Sequence, residues 1–202
     1  MHKSWIVASV VALMGMQARG VVVSSTFDTG GEGWGVVTYG ATDYTGTPTG
    51  YGAMPWISSG GNPGGYVRQT DPDGGDTFTI APASFLGNAV RAYGTTLTYD
   101  LFDTGGNEYN AAAAVVLRGA GLTVCYTPAT LPSTVAGTFT HFEIPLTETG
   151  WAMNGYGGAA VTAGQMQAVL GSLTMVGIRL EYHTGPDDSG LDNVVLPVLP
   201  SG

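Results

Sequence analysis

From position 21 onward, short stretches of alternating apolar and polar residues are separated by clusters of Gly, Asp, Asn and Pro. This is the pattern of strands joined by turns. Leu97, Tyr99 and Leu101 fall on one face of a period-two run. Val176, Ile178, Leu180 and Tyr182 do the same over seven residues, which places Arg179 and Glu181 on the opposite side. Phe142, Ile144 and Leu146 form a third run, where Pro145 favours an edge or a strand end. Stretches 113–117, 122–126 and 194–198 are shorter candidates. Strands of this kind bury their apolar faces by stacking two sheets, so the pattern predicts an all-β antiparallel sandwich.

One segment breaks the alternation. Thr162-Ala-Gly-Gln165 has the form of a capping box, in which a Thr side chain and a Gln three residues later cap each other's backbone N–H groups. Met166, Val169, Leu170 and Leu173 follow at helical spacing, so a single short helix is predicted around 162–173. Residues 39–65 and 152–160, rich in Gly and Pro or Gly, lack either periodicity and read as long loops.

Composition supports this picture. The 202 residues include 33 glycines and 11 prolines, which weaken helix interiors and suit turns. With 44% hydrophobic residues the chain has ample material for a core and is no disordered polymer. No repeat of 20–50 residues is present, which argues against propellers and solenoids.

The first 20 residues read as an address rather than as structure. His2 and Lys3 precede an apolar run from Trp5 to Met16, and Ala18 and Gly20 supply small residues at alternate positions. That is the layout of a secretory signal peptide cleaved after Gly20. The 12-residue apolar run falls short of the ~20 residues that span a bilayer. The expected organisation is therefore a signal peptide at 1–20, one domain at 21–196 and a short tail at 197–202, with secretion or display on the cell surface. Cys125 is the only cysteine. It has no intrachain partner, and its apolar surroundings predict a buried, inert thiol.

The formal net charge is −9, and the leader removes Lys3 and Arg19 but no acid. What remains has no lysine and only four scattered arginines, Arg68, Arg91, Arg118 and Arg179. Such a surface does not suit a nucleic-acid backbone or docking on an anionic membrane, and no stretch after the leader is long and apolar enough for stable membrane insertion. An excess of carboxylate oxygen suits a hard cation such as calcium, or simply solubility.

Catalytic patterns are sparse. There is no Gly-x-Ser-x-Gly elbow and no His-Glu-x-x-His helix, and a phosphate-binding loop would need the missing lysine. His141 and His183 occupy no triad or metal spacing, and solvent-facing strand positions suit both. A pair of carboxylates for glycoside hydrolysis depends on their separation in space, which leaves a glycan-acting hydrolase as a minor alternative. The acids that open and close the domain, Asp28 and Asp192, are candidate calcium ligands if the first and last strands are neighbours. The string Asp71-Pro-Asp73-Gly-Gly-Asp76 has a similar flavour but misses the EF-hand spacing. Taken singly, each of these acids also fits an Asx-turn. Aromatic residues in or beside Gly-rich loops offer flat apolar faces of the kind that stack on sugar rings. Tyr51, Trp56 and Tyr156 are the ligand-binding candidates, whereas Trp34 and Trp151 read as core.

Nine strings run in order along the domain. They are Phe27-Asp-Thr-Gly-Gly-Glu-Gly-Trp34, Ser59-Gly-Gly-Asn-Pro-Gly-Gly-Tyr66, Ile80-Ala-Pro-Ala-Ser-Phe-Leu-Gly87 and Tyr93-Gly-Thr-Thr-Leu-Thr-Tyr-Asp100, then Val116-Leu-Arg-Gly-Ala-Gly-Leu122, Ile144-Pro-Leu-Thr-Glu-Thr-Gly-Trp151, Met166-Gln-Ala-Val-Leu170, Ile178-Arg-Leu-Glu-Tyr182 and Leu191-Asp-Asn-Val194. Together they resemble the laminin B (laminin IV type A) domain as found in bacterial proteins. The resemblance implies a jelly-roll sandwich similar to galactose-binding-like and carbohydrate-binding modules, often with a structural calcium near the paired termini. That raises Asp28 and Asp192 as its ligands. It also implies a non-catalytic protein. Secreted relatives often end in a Val-Pro-Glu-Pro sorting motif, a membrane helix and a basic tail. Here the sequence closes on Leu196-Pro-Val-Leu-Pro-Ser-Gly202, which fits either a freely released protein or a chain cut short of that signal. The expected function is an exported binding or adhesion module for polysaccharide or a cell-surface or matrix component, with a structural calcium. The alternative is a structural surface or matrix protein that engages proteins or itself.

Overall fold

The computed structural model describes residues 21–40, 44–71, 76–106, 108 and 112–198. The expected signal peptide, residues 199–202 of the tail, and Asp73 lie outside the described residues. Among the described residues, thirteen strands form two stacked antiparallel sheets, accompanied by one α-helix, the sandwich that the alternation predicts. The first sheet runs β10 (Thr140–Pro145), β7 (Thr96–Asp103), β13 (Asp187–Val198), β5 (Tyr66–Asp71) and β4 (Trp56–Ile57), with β1 (Val21–Ser25) also paired to β13. The second runs β11 (Trp151–Met153), β9 (Leu122–Tyr126), β8 (Val115–Gly119), β12 (Leu173–Arg179), β6 (Asp76–Ile80), β2 (Gly35–Tyr39) and β3 (Thr49–Ala53).

The alternation in sequence becomes the core directly. Leu97, Tyr99 and Leu101 of β7, Phe142 and Ile144 of β10, and Leu191, Val194 and Leu196 of β13 face inward from the first sheet. Val115 and Leu117, Val124, and Val176 and Ile178 meet them from the second. β10 lies at an edge, where Pro145 costs no ladder bond. Trp34 and Trp151 are buried, and each satisfies its indole N–H inside the fold, on Ser25 Oγ at 2.8 Å and on the Pro145 carbonyl at 2.8 Å. Cys125 is buried and unpaired with any other cysteine.

The helix, α1 (Ala163–Leu170), opens with the expected capping box between Thr162 and Gln165 and buries Met166, Val169 and Leu170. It is shorter than the periodicity predicts. Gly171 caps it, its N–H bonding back to the Gln167 carbonyl, and Leu173 reaches the core as the first residue of β12. The expected loop 39–65 also holds two edge strands, β3 and β4. All five residues of β3 are exposed, so no buried face betrays it in sequence.

The second sheet has a further, smaller core on its outer face. Val37 and Tyr39 of β2, Phe78 of β6, Val116 of β8 and Cys125 of β9 point away from the main core and are covered by Tyr44. Tyr39, Tyr44 and Phe78 meet edge to face, with ring centroids 5.2–5.6 Å apart. Two arginines fasten this layer. Arg118 lies 5.4 Å above the Tyr39 ring and donates to the carbonyls of Tyr44 and Gly46. Arg179, fully buried, donates to the Tyr44 hydroxyl, to Asp76 and to the Glu181 carbonyl. Arg179 and Glu181 do lie opposite the main core face, as the alternation implies, yet both are buried.

Candidate functional site

The Tyr44 layer shapes a groove. Beside it on the outer face of the second sheet, Pro48, Tyr51, Ile80, Arg118, Thr174 and Met175 line an open depression of about 230 Å³. Tyr51, on edge strand β3, is 65% exposed. Its neighbours combine an apolar floor, Ile80 and Met175, with a hydroxyl and a guanidinium at the margin. A second groove of about 270 Å³, lined by Val23, Phe85, Leu86, Ala89 and Leu196 with Ser84 and Asn88, is predominantly apolar. Among the described residues, neither lining contains a carboxylate, a histidine or a thiol.

The other two aromatic candidates do not join Tyr51. Trp56 sits on β4, at an edge of the first sheet, and donates its indole N–H to the Phe27 carbonyl at 2.6 Å. Tyr156 follows β11 and is exposed, but β11 and β3 are opposite edges of the second sheet. Six strand spacings separate them, on the order of 29 Å measured along the sheet. Three separate places, rather than one platform, carry these rings.

Asp28 and Asp192 do approach one another. β1 and β13 are paired, and the loop 60–65, which contains a cis Asn62–Pro63 peptide bond, packs across both acids. A Cβ on Gly64 would lie 2.0 Å from Asp28 Oδ1, and one on Gly61 would lie 2.6 Å from Asp192 Oδ2. Only glycine allows the loop backbone so near both carboxylates. Asp192 accepts the N–H groups of Asn62 and Asn193 at 2.6 and 2.7 Å, and Thr26 donates to Asp28. A third acid completes the group. Asp100 of β7, buried, accepts the side-chain amides of Asn62 and Asn193 and lies 2.6 Å from Nδ1 of His141. Burial raises the Asp192 carboxyl to about 6; its two backbone N–H donors oppose the shift, while Asp100 and Asp28 add to it.

Asp100, Asn62 and His141 were not among the candidates from sequence, since their partners are 38–130 positions away. The one local hint was Asn193 beside Asp192. His141 is on a strand and half-exposed, as expected, but paired with Asp100, whereas His183 lies in the turn after β12. Among the described residues, no helix is long and apolar enough to cross a membrane.

The arrangement can be compared with known proteins. The model of the Laminin B (Domain IV) family matches residues 78–199. Laminin subunit gamma-2 of Equus caballus is 30% identical over 137 residues, 64% of this chain and 10% of the horse protein. Laminin subunit gamma-2 of Homo sapiens is 28% identical over 181 residues, 86% of this chain and 13% of the human protein. The chain thus spans only about a tenth of the length of these relatives. The L4b domain of human laminin alpha-2 superposes with a TM-score of 0.66 at 15% identity, covering 90% of this chain and 99% of that one, which is a likeness of fold. Since the family match takes in the strands from β6 to β13 and the helix between them, the chain belongs to the Laminin B (Domain IV) family.

Proposed function

We propose that this is an exported, non-catalytic extracellular module that binds carbohydrate in the groove beside Tyr51 and holds a structural calcium between Asp28 and Asp192. The observation that carries the sugar reading is Tyr51 itself. An aromatic ring left 65% exposed on a strand, at the lip of a groove with Arg118 and Thr174 at its margin, offers a stacking face and polar edges together. A volume of about 230 Å³ suits one or two sugar rings at the surface better than an enclosed substrate.

Calcium fits the residues in part. Asp28 and Asp192 meet over one loop, and the amide oxygen of Asn62 and nearby carbonyls add the neutral oxygen that calcium accepts alongside carboxylates. Among the described residues no three His, Cys, Asp or Glu side chains form a ready cage, so the ion would rest on two carboxylates and such oxygens. Bound there, it would tie β13 and the loop 60–65 to the start of the domain and offset the mutual repulsion of Asp28, Asp100 and Asp192.

A glycan array followed by affinity electrophoresis tests the sugar reading. Retardation on at least one polysaccharide, lost in Y51A and kept in Y156A, is the expected result. A folded protein that binds no glycan overturns it. Melting in calcium and in chelator, with D192N as control, tests the ion. The second reading, a structural component that engages proteins or itself, draws on β3, which ends its sheet with five exposed residues and, among the described residues, one unpaired edge. Self-association in sedimentation, with no glycan binding, favours that reading.

A further inference from the structure

Four carboxyl side chains are buried together at a different place in the sandwich, where β5, β7 and the turn between β12 and β13 meet. Asp71 ends β5 and is the register partner of Asp187, the first residue of β13. Asp103 ends β7 opposite Ser189, and Glu181 lies in the turn. Their exposures are 4%, 5%, 0% and 1% for Asp71, Asp187, Asp103 and Glu181. Carboxylates are rarely buried to this degree without partners.

Three of the four are accounted for. Asp103 accepts the N–H groups of Gly105 at 2.9 Å and Tyr182 at 2.7 Å. Glu181 accepts the Thr77 N–H at 3.0 Å, and Asp71 accepts the Thr77 hydroxyl at 3.3 Å. Asp187 is different, because both of its carboxylate oxygens are closed off from solvent, neither accepts a hydrogen bond from an N–H or hydroxyl group, and its close polar neighbour is the Asp103 carboxyl. The strongest charges around it are carboxylates: Asp103, Asp71, Glu181 and Asp188. The nearby cations are engaged with other groups. Arg179 is committed to Asp76, Tyr44 and the Glu181 carbonyl, and Arg68 to Asp188 at 2.6 Å. His183 lies beside the same turn, its Nδ1 3.2 Å from the exposed Glu108. The backbone closes in as well. A Cβ on Gly105 would lie 2.6 Å from Cβ of Asp187 and 2.7 Å from that of His183, so the 104–106 turn forms a wall of the pocket.

We propose that Asp187 and Asp103 hold a divalent cation of the calcium kind in this pocket. Two carboxylates match its charge, and the charged side chains that act most strongly on Asp187 are carboxylates, the oxygen donors that hard cations select. Main-chain oxygens and water make up the six to eight ligands that such an ion takes, consistent with the lack of any three acidic or histidine side chains closing on one point among the described residues. The site is independent of Asp28 and Asp192. Five residues of extended strand, roughly 17 Å, separate Asp187 from Asp192. A proton is the competing occupant, since burial first and Asp103 second push the Asp187 carboxyl up to about 8.

Calorimetric titration of the full chain with calcium at pH 7.5 decides between them, using wild type, D187N and D192N. Loss of one binding event, or a drop of at least tenfold in its affinity, in D187N but not in D192N supports the site. Calcium binding in D187N equal to wild type overturns it and leaves the proton as the occupant. Should D187N fail to fold, manganese added to the wild-type protein gives the answer. Broadening of the Gly105 and Tyr182 amide resonances ahead of those of Asn62 and Asn193 supports the site, and unaffected Gly105 and Tyr182 signals at one equivalent overturn it.

Discussion

Replacing Tyr44 by Ala tests whether the layer on the outer face of the second sheet is a true core or a loop resting on a surface. Tyr44 is completely buried, with its ring edge-on to Tyr39 and Phe78 and its hydroxyl between Asp76 and Arg179. Truncating a buried aromatic to Ala costs about 3–5 kcal/mol, because transfer free energy is lost and a cavity remains. Losing the hydroxyl alone, as in Y44F, costs about 1 kcal/mol, and Asp76 and Arg179 keep each other as partners. Against a total stability of roughly 5–15 kcal/mol the Ala variant removes a substantial share. Urea denaturation followed by tryptophan fluorescence gives the difference from the midpoint and slope. The corresponding fall in melting temperature is on the order of 10 °C. A loss under about 1 kcal/mol for Y44A would refute the reasoning, for then the ring would be a lid in solution rather than core. The outcome also matters for the groove, because the segment that Tyr44 anchors supplies Pro48 and leads into Tyr51.

Three further outcomes follow from the same structure. Burial pushes the Glu181 carboxyl up to about 7, with Asp71 adding to the shift and the Thr77 N–H opposing it. A carboxyl raised in the folded state stabilises the fold fully below its unfolded value near 4.3 and loses that contribution as pH rises through 7. In chelator, the protein should therefore unfold at lower urea at pH 8 than at pH 5, and E181Q should flatten that slope. Burial likewise raises the Cys125 thiol to about 12, so it should resist a thiol reagent at pH 8 in the folded protein and react fully in denaturant. Removing the Thr162 cap with T162A should cost about 1 kcal/mol, measured by the same urea titration.

Much of the sandwich was legible because its inward faces alternate. Leu97, Tyr99 and Leu101, and Val176 and Ile178, each occupy every second position and are buried accordingly. β3 escaped notice for the opposite reason, since Thr49, Gly50, Tyr51, Gly52 and Ala53 bury nothing and hold their place by backbone pairing to β2. The second core was hidden because its members sit at positions that a one-core sandwich leaves to solvent, and because Arg179 looks like a surface residue until Tyr44 meets it. At the candidate site, the sequence offered Asp28 and Asp192 as neighbours only on the condition that the first and last strands pair, and β1 and β13 do pair. Asp100 and Asn62 were not legible, since only the folded register sets them beside Asp192. Relative positions of exposed aromatics are equally invisible in one dimension, and Tyr51 and Tyr156 prove to be at opposite edges of a sheet.

The pairing of β1 with β13 has a mechanical consequence. Val21 and Val198, at the outer ends of these strands, are direct partners, and the ladder runs inward from them through Ser25 and Val194. A pull applied through both ends of the domain therefore falls on a single rung at a time, in the manner of a zipper. Shear across all five rungs at once never arises. This geometry predicts that under tension β1 peels first, from the outside in. A calcium ion seated between Asp28 and Asp192, just beyond the inner end of that ladder, would set the point at which the peeling halts.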